Sequence, residues 1–364
     1  VSGLIIYTLS LGGGAGKNAI KYAEEAANLG YRVTLAYGRD PTRSVHKSAS
    51  CDYIRVSLSA TTNWDAVAPL YRLLQKEKPQ AVIAIGASNL LTVLLCKTLA
   101  RDSWRVILRE TNSPSGLLNS YPWRKAIIRR LMLRYSYSKV NAVIALTEDM
   151  AREFRGYWKV PDDRVSVVPN GVALDRKYKT PRTRSAEPVL LYVGRLTAQK
   201  DVATLLRAFH RVLETRASRL RIAGAGPELA RLQDLAKTLG LVERVDFLGH
   251  VDDTASLFYG ADVLVLTSRY EGFPNVLLES IAHGVPVVST DCPTGPADVI
   301  ADGKTGALAN VGDPEDVAVK ILDVLRREIP PKDLLESLKR FSDDQIRGQI
   351  RAVIECSVKG VDGT

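Results

Sequence analysis

Ten short apolar runs, rich in Val, Ile and Leu, alternate along this chain with segments of helical period. The first five are GLIIYTL, YRVTLAY, AVIAIG, RVILRE and NAVIALT; the second five are VLLYVGR, RLRIAGA, RVDFLGH, DVLVLTS and VPVVST. Between them lie stretches such as DVATLLRAFHRVLE and PELARLQDLAKTLG. Runs without polar alternation are strands buried on both faces, and the helical stretches are crossovers. The pattern therefore predicts parallel α/β sheets covered on both sides. The series pauses at about 173–187, a polar, charged stretch containing Pro181, which reads as a linker. It separates a Rossmann-like domain at 1–172 from a second at 173–342. A final helical stretch, 343–364, follows Ser342 as N-cap. Ligands of such sheets bind beyond the carboxyl ends of the strands, so the loops after each run are where chemistry is sought.

Several classes are excluded early. No run of 18 apolar residues occurs, so no membrane-spanning helix is expected. The N-terminus lacks a basic region leading into a long apolar stretch, which argues against a secretory signal; the missing initiator Met fits a trimmed chain. The four cysteines and four histidines are scattered, without C-x-x-C or paired His, which argues against a disulfide framework or a zinc site and suits a cytoplasmic location.

The loop LSLGGGAGKNAI, 9–20, looks like a phosphate cradle. A P-loop would need glycine at Leu11 and Ser or Thr at Asn18. A dinucleotide fingerprint would need its third glycine at Lys17 or Ala19, and a similar decoy at Gly224-Ala225-Gly226 would need it at Leu229. Both regular expressions fail. What remains is glycine backbone at a helix N-terminus, a general anion site, against the plainer reading of a tight strand-to-helix turn.

A second anion site is more informative. In TSRYEGFPNVLLESIAHGVPVVST, 267–290, a strand ends near Ser268, Pro274 suits the first turn of a helix of roughly ten residues, and Gly284 suits its stop. The amides of Phe273, Asn275, Val276 and Leu277 are its expected orphan donors. Glu271 precedes the helix and Glu279 lies in its second turn. Backbone donors for a diphosphate, with carboxylates for sugar and ribose hydroxyls, are what a sugar nucleotide needs; either Glu alone could be a solvated charge. Upstream, Arg195 and Lys200 follow a strand directly and could neutralise a diphosphate, the bland alternative being loop solvation.

Together, the Gly12–Gly16 loop, VVPNGV at 167–172, GRL and QKD within 194–201, GAGP at 224–227, FLGHV at 247–251 and EGFPNVLLE at 271–279 resemble glycosyltransferase family 4 and its E-x7-E motif. The resemblance spans nearly the whole chain. It implies the GT-B fold, two Rossmann-like domains facing a central cleft. It also implies a retaining, metal-independent enzyme that uses no cofactor. Such an enzyme would move a hexose or N-acetylhexosamine from a nucleotide sugar, a UDP-sugar on family precedent, to a polyprenyl-linked or polysaccharide glycan. By the same resemblance Arg195 and Lys200 hold the diphosphate and Glu279 the ribose. Glu271 and the amides of Gly272, Phe273 and Asn275 contact the transferred sugar. Gly226 and Val251 line the base pocket, and the Gly13–Gly14 loop approaches the phosphates. Many relatives carry a His where this chain reads VILRETNSPS, which directs attention to Glu110 and Asn112 as sugar or acceptor contacts. Ala15-Gly16-Lys17 stands where Ala-Glu-Arg is usual. The alternative from the same fold is an idle sugar-nucleotide-binding protein.

Charge adds a last feature. The net charge of +10 is carried by residues 1–172, with 24 Lys and Arg against 13 Asp and Glu. No acid lies between Glu110 and Glu148, and the stretch between holds Arg124, Lys125, Arg129, Arg130 and Arg134 interleaved with Trp123, Ile127, Ile128 and Leu131. This reads as a basic amphipathic helix. It could lie on anionic lipid at the inner face of the cytoplasmic membrane, or it could be a domain helix whose apolar stripe is core. No recognised nucleic-acid module accompanies it, so nucleic acid is not the expected partner.

Overall fold

The computed structural model describes residues 3–39, 53–174, 186–301 and 303–359. Most of the expected linker, with Pro181, lies outside the described residues, as do His46 and Cys51. The chain divides into two compact units, one of residues 1–170 with 344–364, the other of 171–343.

The first unit runs β1 (Gly3–Ser10), α1 (Gly13–Asn28), β2 (Arg32–Arg39), β3 (Ile54–Ser57), α2 (Val67–Glu77), β4 (Ala81–Ile85), α3 (Ala87–Ala100), β5 (Arg105–Arg109), α4 (Pro114–Asn119), α5 (Trp123–Ser138), β6 (Ala142–Ala145), α6 (Glu148–Gly156) and β7 (Val165–Val167). Its seven strands are ordered β3-β2-β1-β4-β5-β6-β7, every pairing parallel. The chain winds outward in one direction from β1 and in the other from β4, so the topological switch point lies between those strands. The central strands are buried on both faces because helices cover both, which is why their sequences do not alternate.

The second unit continues β8 (Val189–Val193), α7 (Val202–Thr215), β9 (Arg219–Ala223), α8 (Leu229–Thr238), β10 (Val245–Gly249), α9 (Ala255–Tyr259), β11 (Val263–Leu266), α10 (Asn275–Ala282), β12 (Val287–Thr290), α11 (Pro296–Val299), β13 (Gly306–Ala309), α12 (Pro314–Arg326) and α13 (Pro331–Leu338). Six parallel strands are ordered β10-β9-β8-β11-β12-β13, with the switch point between β8 and β11. Both ends of this unit meet: the Val172 amide donates to the Phe341 carbonyl at 2.9 Å, and the Asp343 amide to the Val172 carbonyl at 3.1 Å.

The last helix, α14 (Asp343–Lys359), starts just after Ser342 and from residue 344 on belongs to the first unit. Its stripe Ile346, Ile350, Val353, Ile354 and Val358 is buried in one cluster with Leu4, Ile6, Tyr22, Val33 and Ile144. The carboxylate of Glu25 on α1, 1% exposed, accepts from Arg347 and, at 2.6 Å, from Arg351. Arg347 also reaches Glu24 at 3.0 Å. The helix is thus fastened by both apolar packing and a charged clasp.

Candidate active site

The switch point of the second unit collects the loops after β8 and β11. Glycines make the first loop possible. A Cβ on Gly224 would sit 1.8 Å from the Gly194 carbonyl oxygen, and one on Gly226 would sit 2.2 Å from that of Leu196. Only bare backbone lets the ends of β8 and β9 approach this closely. The Leu196 amide donates to Ala225 at 3.0 Å, which fixes the segment carrying Arg195. Gly226 and Val251, just past β9 and β10, are both half-buried and lie beyond carboxyl strand ends.

The second loop is built around Glu271, which is 6% exposed. Its carboxylate pairs with the ammonium of Lys200 and accepts a hydrogen bond from Ser268 Oγ at 2.6 Å. Its backbone is held too: the Glu271 amide donates to Pro293 at 2.8 Å, and Thr294 Oγ1 donates to the carbonyls of Glu271 and Gly272 at 3.2 and 3.0 Å. Gln199 Nε2 donates to the Tyr270 carbonyl at 2.9 Å, tying the two loops together. The negative charge is felt by its neighbours. Burial first, then Glu271, pushes the Cys292 thiol up to about 12, and the same two causes raise the buried Tyr192 phenol. Arg195 stands apart: its side chain is exposed and has no hydrogen-bond or ion-pair partner among the described residues.

Helix α10 starts one residue later than expected. Pro274 is its N-cap rather than part of its first turn, and the helix has eight residues rather than about ten. Gly284, at φ +73°, follows the C-cap His283, as a helix stop requires. Among the described residues the amides of Gly272, Phe273 and Val276 meet no acceptor. Leu277, expected as an orphan donor, is not one; its amide donates to the Pro274 carbonyl at 3.0 Å, closing a tight first turn. The Phe273 ring packs edge-on to Phe341, 5.5 Å between centroids. Glu279 is half-buried in the second turn of α10, one turn past Asn275.

The remaining expected residues lie in the first unit. Gly13 and Gly14 are exposed at the N-terminus of α1, which follows β1 at the switch point. Gly16 is there for packing: a Cβ would lie 1.9 Å from the Leu11 carbonyl oxygen. Glu110 and Asn112 follow β5. Glu110 is 3% exposed, receives the Thr111 amide at 2.8 Å and lies 3.4 Å from the Tyr137 hydroxyl. Burial raises its pKa against the opposing effect of the surrounding amides and of Arg109. Asn112 Oδ1 accepts from the Ser113 amide at 3.0 Å. Sequence reasoning missed Arg109, fully buried and donating to Asn170 Oδ1, and missed Ser268, Gln199 and Thr294. The only signal for Ser268 was a hydroxyl at a strand's carboxyl end.

A family model described as glycosyl transferases group 1 matches residues 187–327, and one described as Glycosyltransferase Family 4 matches residues 12–176. The chain belongs to the family 4 glycosyltransferases. Its two parallel Rossmann-like sheets are those of the GT-B fold. It is 28% identical over 261 residues to N-acetyl-alpha-D-glucosaminyl L-malate synthase of Bacillus anthracis, covering 70% of this chain and 67% of that protein. It is 33% identical over 187 residues to the lipopolysaccharide 1,6-galactosyltransferase of Salmonella typhimurium, covering 49% of this chain and 52% of that protein. In three dimensions it resembles Anabaena HepE, whose structure was solved in complex with UDP and glucose. The TM-score is 0.78 at 18% identity, over 98% of this chain and all 100% of that one. The two curated relatives are thus matched over roughly half to two thirds of their own lengths.

Proposed function

We propose that this glycosyltransferase moves a hexose or N-acetylhexosamine from a UDP-sugar to a lipid-linked or polysaccharide glycan, with retention of anomeric configuration. The carrying observation is the cluster of Lys200, Glu271 and Ser268 at the switch point beside the N-terminus of α10. An ammonium has three protons to donate, so Lys200 can hold Glu271 and still face a phosphate oxygen. Arg195 supplies the second cation. The amides of Gly272, Phe273 and Asn275, with Glu271, orient the sugar hydroxyls; Glu279 takes the ribose hydroxyls; Gly226 and Val251 border the base. The bond from the anomeric carbon to the leaving phosphate oxygen breaks, and an acceptor hydroxyl oxygen bonds to that carbon on the same face. The leaving phosphate takes the hydroxyl proton. Fixed charge and positioning then supply most of the acceleration. Glu110 and Asn112 are assigned to the transferred sugar or the acceptor. Because two cations face the diphosphate, turnover is expected to survive EDTA.

UDP as the donor's leaving group agrees with the ligand of HepE, and a glycan acceptor with the name of the Salmonella relative. The test is thermal stability with UDP, GDP or ADP in turn. A ligand at about 100 times its dissociation constant stabilises by roughly 2.7 kcal/mol. UDP should raise the melting temperature, and Glu279→Ala should abolish that rise. If no nucleoside diphosphate shifts the transition, the proposal is wrong.

A further inference from the structure

Helix α5 leaves most of its apolar residues unburied. With a turn of about 100° per residue, the buried Leu133, Ser136 and Tyr137 and the half-buried Ala126 fall on one side, which packs inward. Ile127, Ile128, Leu131, Met132 and Tyr135 fall on the opposite side and are exposed, Leu131 by 63% and Tyr135 by 66%. Cations surround this outward stripe, Arg130 and Arg134 along one edge, Lys125 and Arg129 along the other, and Arg124 and Lys139 at its two ends. Arg129 and Arg130 lie over the rings of Tyr121 and Tyr157, at 4.4 and 5.5 Å from the centroids. Trp123, 68% exposed, stands at the start of the helix. The core-stripe reading of this segment therefore fails; its apolar face looks away from the unit it belongs to.

We infer that α5 is a membrane-surface helix that seats the first unit on a bilayer containing anionic lipid. A stripe of aliphatic side chains flanked by two rows of cations is the geometry of a helix lying in the plane of an interface, apolar face down and charges at headgroup level. Trp123 and Tyr135 are side chains suited to that depth. Among the described residues no helix is long and apolar enough to cross a membrane, so the contact is peripheral. Charge selects among occupants. A nucleic acid would meet an apolar centre instead of a cationic one. A second copy docked through a two-fold axis would set arginine against arginine, since no acid lies between Glu110 and Glu148 to answer them.

The test is co-sedimentation of the full chain with vesicles of 30% phosphatidylglycerol in phosphatidylcholine, against pure phosphatidylcholine, at physiological salt. It reads binding and not turnover, so it is independent of the proposed transfer. Binding to the anionic vesicles and little to the neutral ones is expected. Arg130→Gln with Arg134→Gln should lower the partition coefficient about 30-fold, at about fivefold per cation near such a surface. Ile127→Ser with Leu131→Ser should also release the protein. All four side chains are exposed, and unchanged melting of each variant checks that the fold is kept. The inference is overturned by failure to bind anionic vesicles, by equal binding to both compositions, or by binding that neither variant weakens. It is overturned equally by a dimer that forms without lipid and is lost in the Ile127→Ser, Leu131→Ser variant.

Discussion

Lys200→Met strands the carboxylate of Glu271. In the native chain that side chain is 8% exposed and Lys200 is 15% exposed, so water cannot replace the missing ammonium. Leaving one member of a buried pair uncompensated costs about 3–5 kcal/mol. The Ser268 hydroxyl still donates at 2.6 Å, which favours the lower end, about 3 kcal/mol. That is a factor of roughly 150 in the unfolding equilibrium. For a unit the size of residues 171–343 it corresponds to a fall of about 6–12 °C in melting temperature. Adding Glu271→Gln removes the stranded charge while its amide oxygen can still accept from Ser268. The double variant should therefore regain about half of the lost stability. Transfer should not return, because the diphosphate has still lost a cation. Calorimetry of the four proteins of this cycle, with turnover measured in parallel, checks both halves. A double variant no more stable than Lys200→Met would refute the coupling. A single variant within about 0.5 kcal/mol of wild type would refute the burial argument itself.

Three further outcomes follow from the geometry. Glu110 holds its proton in the folded chain to a higher pH than in the unfolded one, so stability should fall as pH rises from the ordinary carboxylate value of about 4.5 toward the raised value; Glu110→Gln should flatten that slope, and parallel melting curves for the two proteins would contradict it. Gly224→Ala should cost about 4 kcal/mol or more, because its Cβ would overlap a carbonyl at 1.8 Å and its φ is +148°, whereas Gly240→Ala, at φ +69° with open space, should cost only about 1–2 kcal/mol; melting temperatures compare them. Ile350→Ala should cost about 3 kcal/mol and open the amides of the first unit to hydrogen exchange while leaving those of 186–301 unchanged.

What could be read from the sequence followed burial. Nine of the ten short apolar runs are interior strands of their sheets, and the tenth, β10, is a partly buried edge strand. Three strands were not anticipated: Ile54–Ser57, Val165–Val167 and Gly306–Ala309. All three are the outermost strands of their sheets. These three have only three or four residues each, too short a run to stand out in the sequence, and Ile54 is in fact exposed. At the site, Glu271, Glu279, Arg195 and Lys200 were legible because they are close in sequence to strand ends and to a helix start. The partnership of Lys200 with Glu271 was not, since it joins residues 71 apart. Neither was the bond from Arg109 to Asn170 across 61 residues. Leu277 was misread for a local reason: a tight first turn satisfies an amide that an ideal helix would leave open.

The fastening of α14 has a consequence for how the chain is made. The second unit is continuous from 171 to 343, and its two ends bond to each other, so everything it needs has emerged before the last helix is synthesised. The first unit is different. Its sheet is complete in sequence by Val167, yet Leu4, Ile6 and Val33 wait for Ile346 through Val358 to cover them, and Glu25 waits for Arg347 and Arg351. During translation the N-terminal half must therefore pass through a stage with an uncovered apolar face and a Glu25 carboxylate without its arginine partners, while the later half is already folded. A ribosome stalled, or a chain cut, just short of residue 344 would release a protein whose second unit is whole and whose first is sticky, the form on which a chaperone or a protease acts.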